Sequence, residues 1–413
     1  MADGTTRANE KRLWQTLMDL AKIGATPGGG VGRIALTEDD RKARDQFVAW
    51  CKDAGCDIRV DRMGNIFARR HGLDADRPPV MTGSHLDTQP LGGRFDGIYG
   101  VLAGLEVVRS LNDAGIDTVA PLDIVVWTDE EGVRFSAGMV ASGVFAGKYD
   151  LDYGLGIVDG DGVTFGEALK TIGYAGTEDV GGIPVEAFFE AHIEQGPILE
   201  NDAIPIGVVL GAQGQRCFRV TVDGEEGHAG TLPMELRRDA MLGAARMIDA
   251  INGIAFQYDP HPVITVGLVN VRPNSPNTIP GQVYFSIDSR HADNDTLKAV
   301  EADMRAVCET IAGDGGYGLD VELVSEREST VFHRDCVEAV ADAADIAGLP
   351  YREIYSGAGH DACNLALCAP TGMIFVPCED GISHNERENA RPSDLAAGCT
   401  VLMHAMLNRA GVA

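Results

Sequence analysis

The chain has 413 residues, with 34 Lys+Arg against 62 Asp+Glu and a formal net charge of -28. That length exceeds one ordinary core and predicts two domains, or one large domain with an insertion. So acidic a surface repels nucleic acid and anionic membrane, while one local basic pocket could still bind an anion. The N-terminal stretch is charged throughout, and no later run approaches the about eighteen apolar residues of a spanning helix, so a soluble cytoplasmic protein is expected. Nine cysteines without a Cys-x-x-Cys pair imply neither a disulfide framework nor a zinc ribbon, and are expected to be buried free thiols.

Leu13, Leu17, Leu20 and Ile23 predict a first amphipathic helix. Thr37 with Asp40 marks the start of a second, which carries Phe47, Val48 and Trp50 and ends at Gly55. CDIRVD and NIFARR read as short strands. An apolar run from Pro79 to Met81 then leads into Ser84-His85-Leu86-Asp87, where His85 and Asp87 would share one side of an extended chain. Beyond Asp96, the spacing of Tyr99, Leu102, Leu105, Val108 and Leu111 predicts a buried helix that stops at Gly115. LDIVVWT, residues 122–128, is the continuous apolar run of a strand covered on both faces, and it empties into Asp129, Glu130 and Glu131. Ligand-type residues thus recur at the C-terminal ends of strands, where open α/β sheets keep their sites.

Between Gly132 and Gly182 glycine and turn residues dominate, and no element is predicted. Ala187, Phe189 and Ala191 alternate with Phe188, Glu190 and His192, a strand pattern that ends in His192, Glu194 and Gln195. After about Gly211 the order becomes strand, helix, strand, strand, helix, strand. VITVGLVNV is read as one strand in that set, and the whole makes a compact α+β unit. After Thr330 the first domain resumes with a helix near Cys336–Ala347, the loop SGAGHDA, the strand TGMIFVP, the segment GISHNERE and a final helix. The expected domains are therefore residues 1–211, 212–329 and 330–413, the first and last forming one α/β body.

Taken singly, a His-x-Asp triplet reads as a salt-bridged turn, a carboxylate run as a solvated loop, and a strand histidine as a structural residue. Together His85, Asp96, Glu131, His192 and His384, with Glu130 and Asp87 beside them, make a set of imidazoles and carboxylates without thiolate. Such a set suits Zn²⁺, Mn²⁺, Co²⁺ or Ni²⁺. Five ligands exceed what one catalytic ion with an open position needs, but suit two ions about 3.5 to 4 Å apart that share a carboxylate. Asp96 is the chosen bridge.

The ordered segments GSHLDT, GGRFDG, TDEEG, EAHIEQG, HAGTLPMELRRDA, NTIPG with FSIDSRH, SGAGHDA and ISHNERE resemble the M20 metallopeptidase superfamily. More narrowly, they resemble its hydantoinase/carbamoylase branch of N-carbamoyl-L-amino acid hydrolases, allantoate amidohydrolases and β-ureidopropionases. The resemblance implies an α/β, mixed-sheet dinuclear metallohydrolase domain with an inserted α+β dimerisation (lid) domain. It implies two divalent ions per subunit, zinc in the first place, one on Glu131 and His384, the other on His85 and His192, with Asp96 between them. Glu130 would be the general base, and Asp87 the partner that orients His85. His228, in the inserted domain, would reach the site of a second subunit in a homodimer and donate to the oxyanion. Arg290 and Asn277 would hold a substrate carboxylate, with Gln195 and the backbone of Gly359 at the ureido end.

The implied activity is hydrolysis of a ureido C–N bond with release of ammonia and CO2, and the motifs are common to all three substrate classes. A ureido carbonyl is a poor electrophile, which accounts for a Lewis acid and an activated water. Two further readings differ in class. An aminoacylase or dipeptidase shares the two-metal core, but His192 stands where peptidase branches usually carry a carboxylate. A catalytically dead binding relative would not need Glu130 beside all five ligands.

Overall fold

The computed structural model describes residues 6–413, which divide into two compact units, the chain up to Gly211 with Val331–Ala413, and Ala212–Thr330. In chain order the first unit begins with α1 (Glu10–Leu20), α2 (Glu38–Asp53), β1 (Asp57–Val60), β2 (Ile66–Arg70), β3 (Val80–His85), α3 (Ile98–Ala114) and β4 (Leu122–Trp127). There follow α4 (Val140–Phe145), α5 (Leu151–Gly156), α6 (Phe165–Ile172), β5 (Ala187–Ile193), α7 (Ile198–Asp202) and β6 (Ile206–Ala212). The second unit holds β7 (Gly214–Asp223), β8 (Gly227–His228), α8 (Ala240–Ala255), β9 (Val263–Thr265), β10 (Val269–Arg272), β11 (Thr278–Ile279), β12 (Gln282–His291), α9 (Asn294–Gly315) and β13 (Gly318–Arg327). The chain closes with β14 (Thr330–Val331), α10 (Arg334–Ile346), β15 (Tyr351–Ser356), α11 (Asp361–Leu365), β16 (Thr371–Val376) and α12 (Pro392–Ala410).

The large sheet has the order β1-β2-β4-β3-β5-β16-β6-β14, with β15 beside β6. Its centre, β4-β3-β5-β16, is parallel, while β1, β2 and β6 run antiparallel to their neighbours, so the sheet is mixed. Every residue of β3, β4, β5 and β16 is buried. Alternate side chains go to opposite layers, as the two-residue strand period requires. Leu122, Ile124 and Val126 pack with α1, α3 and α12, while Val125 and Trp127 pack with Phe67, Phe145 and Phe188 on the other face. Both faces being covered explains why β4 and β16 read as nearly continuous apolar runs. In the parallel pair β3–β4 His85 lies opposite Trp127, so the residues after each strand leave at the same edge.

Sequence-based expectations fail at three places in the fold. The segment treated as featureless holds α4, α5 and α6, and α6 starts with a complete capping box, Thr164 with Glu167. Strands β6 and β15 were not expected. VITVGLVNV forms two strands, β9 against Asp288–Arg290 and β10 against Gln282–Phe285, interrupted near Gly267, which offers no side chain to carry one ladder through. None of the nine cysteines is in a disulfide, but Cys368 is exposed and Cys217 and Cys363 are half-buried, where burial was expected.

In the second unit the sheet order is β10-β12-β7-β13 with β9 on β12. Here β12 alternates strictly between buried and half-buried positions. Val220, Val222, Val283, Phe285 and Ile287 face α8 and α9 through Ala244, Met247, Ile251, Val300 and Met304. Among the described residues no helix is long and apolar enough to cross a membrane.

Candidate metal centre

Four sheet-edge segments of the first unit deliver the candidate residues. His85 ends β3, Glu130 and Glu131 follow β4, His192 lies near the end of β5, and His384 follows β16 by a short loop. Asp96 stands just before α3, whose start is set by Gly97 at φ 70. A Cβ on Gly97 would lie 2.2 Å from His85 Nε2, so only glycine lets the imidazole close down on the start of this helix. Asp129, Gln195 and His384 also hold left-handed backbone, at φ 58, 58 and 53. For non-glycine residues such backbone is held only where the surroundings enforce it, and it clusters at sites.

The two carboxylate oxygens of Asp96 face different partners. Oδ1 lies 3.2 Å from His192 Nε2 and 3.9 Å from His85 Nε2. Oδ2 lies 3.2 Å from His384 Nε2, which is itself 3.5 Å from Glu131 Oε2. Donors sharing one tetrahedral ion at about 2.0 to 2.1 Å are spaced by roughly 3.3 Å, so both groups, His85–Asp96–His192 and Asp96–Glu131–His384, have the right pitch. Glu130 Oε2 is 3.6 Å from His85 Nε2, at the margin of the first group.

The tautomers agree with this reading. His85 Nδ1 is 2.9 Å from the main-chain oxygen of Asp87, and His192 Nδ1 is 2.8 Å from that of Ile193. A carbonyl only accepts, so both Nδ1 atoms carry the proton and both Nε2 atoms present a lone pair. The Gly97 N–H donates to His192 Nε2 at 3.1 Å, yet a lone pair that also faces Asp96 Oδ1 calls for a proton or a cation between them. The charges say the same. Burial alone would lower the His85 pKa, but Glu130, Asp87, Asp96 and Glu131 drive it well above the ordinary histidine range. Burial would raise Asp96, but His192 and His384 hold it well below the carboxylate range. Burial pushes Glu130 and Glu131 upward, His85 opposing the rise at both. Two divalent cations would offset the four carboxylates of the buried Asp87 and Asp96 and the part-buried Glu130 and Glu131, so the donor set fits the ions.

The profile of peptidase family M20/M25/M40 matches residues 81–408. The chain belongs to this family. Within it, the chain is 45% identical over 406 residues to an N-carbamoyl-L-amino-acid amidohydrolase of Rhizobium meliloti, covering 98% of both chains. It is 35% identical to the allantoate amidohydrolase of Escherichia coli K12, covering 94% of this chain and 95% of that one. A crystal structure of an amidase of the hydantoinase/carbamoylase family from Burkholderia multivorans matches with a TM-score of 0.97 and 55% identity, over 98% of this chain and 99% of that one. The M20 family is metal-dependent, in keeping with the two donor groups.

Further side chains of this M20 chain hold the donors in place; Asp87 was expected to do so, whereas Gln89, Glu190 and Glu388 were not. Asp87 supports the centre twice: its carbonyl orients His85, while its carboxylate accepts the N–H groups of Glu130 and Glu131 at 3.3 and 3.2 Å. Gln89 grips Glu131 through its main-chain N–H, 3.1 Å from Oε1, and its side-chain amide, 2.7 Å from Oε2. Glu388 accepts the N–H groups of Phe95 and Asp96, and burial pushes its carboxyl up to about 7. Glu190 joins two strands and a helix, accepting from Ser84 Oγ at 2.6 Å and from the Ala362 N–H at 2.8 Å. With His192 and His360 it forms a third donor group, but its oxygens are taken by these donors and His360 Nε2 lies 2.8 Å from Ser356 Oγ, so this group backs His192. Their signal was position: Glu190 and Glu388 lie inside the motif segments, Gln89 directly follows one of them, and Glu190 shares a strand face with His192.

Substrate-contact candidates are placed less uniformly. Gln195 Nε2 donates to Asp96 Oδ2 and to Ser383 Oγ, at 3.0 and 3.1 Å. Gly359 sits in the turn between β15 and α11, next to His360. In the second unit His228 is exposed, and its Nδ1 accepts the Gly230 N–H at 2.9 Å, so its neutral ring presents Nε2–H as a donor. Its neighbour Asn277 is paired by the Ala229 N–H bond to its main-chain oxygen, and its side-chain oxygen accepts from Ser275 Oγ. Arg290 points its fork at Asp288, with Nε and Nη2 each 3.0 Å from a carboxylate oxygen.

Proposed function

We propose that the chain hydrolyses the ureido C–N bond of an N-carbamoyl-L-amino acid, with water, to the free amino acid, ammonia and CO2. The carrying observation is His192, an imidazole with its Nε2 3.2 Å from Asp96 Oδ1, in a chain 45% identical to an N-carbamoyl-L-amino-acid amidohydrolase. Two divalent ions, zinc first and manganese, cobalt or nickel as substitutes, would be held by His85, His192, Asp96, Glu131 and His384. Such ions supply Lewis acidity toward the carbonyl oxygen and acidify water.

Glu130 is the base. Burial raises its carboxyl, with His85 opposing the rise, and this makes it a stronger base than a solvated carboxylate for taking a proton from the attacking water and returning it to the departing nitrogen. Asp87 fixes this residue through its backbone N–H, so the carboxylate is aimed before substrate arrives. In this proposal the protein is a homodimer, and His228 of one subunit donates Nε2–H to the developing oxyanion in the other. Arg290 leaves Asp288 for the substrate carboxylate, or holds it beside that residue, with Asn277 as the second donor. Gln195 and the Gly359 backbone receive the ureido end. The test is ammonia release by zinc-reconstituted protein from a panel of N-carbamoyl-L-amino acids, allantoate, β-ureidopropionate, N-acetyl amino acids and dipeptides. Turnover confined to the last two classes would replace the proposal with an aminoacylase or dipeptidase.

A further inference from the structure

The glycine-rich segment 26–33 plays no part in the chemistry above, yet it is bonded to both loops that serve Glu131 and His384. On one side Val31 and Gly92 exchange N–H to carbonyl bonds, each 3.0 Å. The Arg33 N–H donates to Thr88 Oγ1 at 2.8 Å, and the Thr88 N–H returns a bond to the Arg33 carbonyl at 2.9 Å. This seats Gln89, whose two N–H donors hold both oxygens of Glu131. On the other side Glu386, two residues beyond His384, accepts the Gly28 N–H at 3.1 Å and the Thr26 hydroxyl through the same Oε1. Thr26 Oγ1 also accepts the Gly30 N–H at 3.1 Å. A Cβ on Gly30 would lie 2.2 Å from the Gly92 carbonyl oxygen and 2.7 Å from Glu386 Cα, backbone that cannot step aside. Three segments therefore meet at main-chain contact.

His384 needs such support more than the other imidazoles. Its side chain is 52% exposed, against 3% for His85 and 1% for His192. Its backbone is left-handed, and among the described residues no main-chain carbonyl takes an Nδ1 proton from its ring as Asp87 and Ile193 do for the others. The position of the ring thus depends on how its loop is held.

We infer that the Thr26–Glu386 contact is a brace that positions His384 and sets the affinity of the ion held by Glu131 and His384. Thr26 and Glu386 are positioning residues and touch no reacting atom. The inference rests on the two-ion reading of the centre. It is tested by zinc competition against a chromophoric chelator, with two-site fits, on full-length protein carrying Glu386→Ala or Thr26→Val. The valine variant keeps the loop's shape and covers the case in which Glu386→Ala does not fold. Each change should weaken one of two ions by about 10- to 100-fold, the usual effect of losing a side chain that orients a ligand, and leave the other unchanged. In a His384→Ala background, adding Glu386→Ala should have no further effect on the remaining ion. Two unaltered affinities in both variants would overturn the brace while leaving two ions in place. A loss that persists undiminished in the His384→Ala background would also overturn it, because the effect would then be a general loosening. Zinc binding indifferent to His384→Ala itself would overturn the two-ion reading, and the brace with it.

Discussion

The two compact units treat their candidate functional residues in opposite ways. In the first unit His85, Asp96 and His192 are almost wholly buried, and each is bonded to main chain or to another candidate. In the second, His228 lies exposed on a two-residue strand, Asn277 is paired to a neighbouring serine, and the Arg290 fork rests on Asp288. The difference teaches that the first unit carries a preassembled centre, whose bonds already set geometry and tautomer. The second carries donors that are locally satisfied and whose use depends on what is presented to them.

The largest expected effect tests the preassembled side. Glu130→Gln removes a proton acceptor and no proposed ion ligand, so turnover should fall by roughly 10²- to 10⁴-fold with metal content unchanged. Metal analysis beside steady-state kinetics decides it, and full activity in the variant would remove Glu130 from the mechanism. Next comes His228→Ala, with an expected loss of about 10²- to 10³-fold for one oxyanion donor. Mixing it with Glu130→Gln protomers should restore activity, because a mixed dimer has one site with both residues intact. No recovery after verified subunit exchange would confine His228 to its own chain or exclude it.

A smaller effect is expected at Arg290. Lysine cannot reproduce the planar fork, so Arg290→Lys should lower kcat/KM on N-carbamoyl-L-amino acids by about 10- to 100-fold, the worth of charge-assisted hydrogen bonds. Neutral amides of the same substrates should be poor for the unaltered protein and no worse for the variant. Equal efficiency on acid and amide would place specificity at the other end of the substrate.

The smallest effect on turnover, and one peculiar to the buried unit, concerns Asp61. It accepts from the Met63 and Asn65 N–H groups and from Asn65 Nδ2, and Asn65 in turn accepts the Thr128 N–H just before Asp129. Burial pushes its carboxyl up from 3.8 to about 7 despite those bonds. A raised carboxyl keeps its proton in the folded state while the unfolded chain releases it. Its contribution to stability is therefore fully present below about pH 4 and is lost as pH rises to about 7. Urea melts of chelated protein should show the stability of the natural chain relative to Asp61→Asn falling by up to roughly 3 kcal/mol between pH 5 and 7. A difference flat across that range would show that Asp61 is ionised in the folded protein.

Local order alone determined much of this protein. The apolar runs before His85 and after Pro121 read as strands, the second as one covered on both faces, and the three-residue spacing from Tyr99 to Leu111 reads as a buried helix that ends at Gly115, as the fold has them. Strand ends followed by His, Asp and Glu were enough to collect a set of metal donors, because adjacent parallel strands release their next residues at one edge. Other features were decided by contacts between segments far apart in the chain. The bond from Gln89 to Glu131 spans 42 residues, those from Glu388 to Phe95 and Asp96 span 293 and 292, and that from Glu386 to Thr26 spans 360. No period or spacing records such pairs. The same holds for Gly97, whose missing Cβ makes room for a ring twelve positions earlier, and for the left-handed backbone of His384, which depends on the neighbours that hold it there. Strand and helix patterns are short-range consequences of side-chain period and are written locally, whereas the aim of each imidazole and carboxylate is a property of the packed sheet edge.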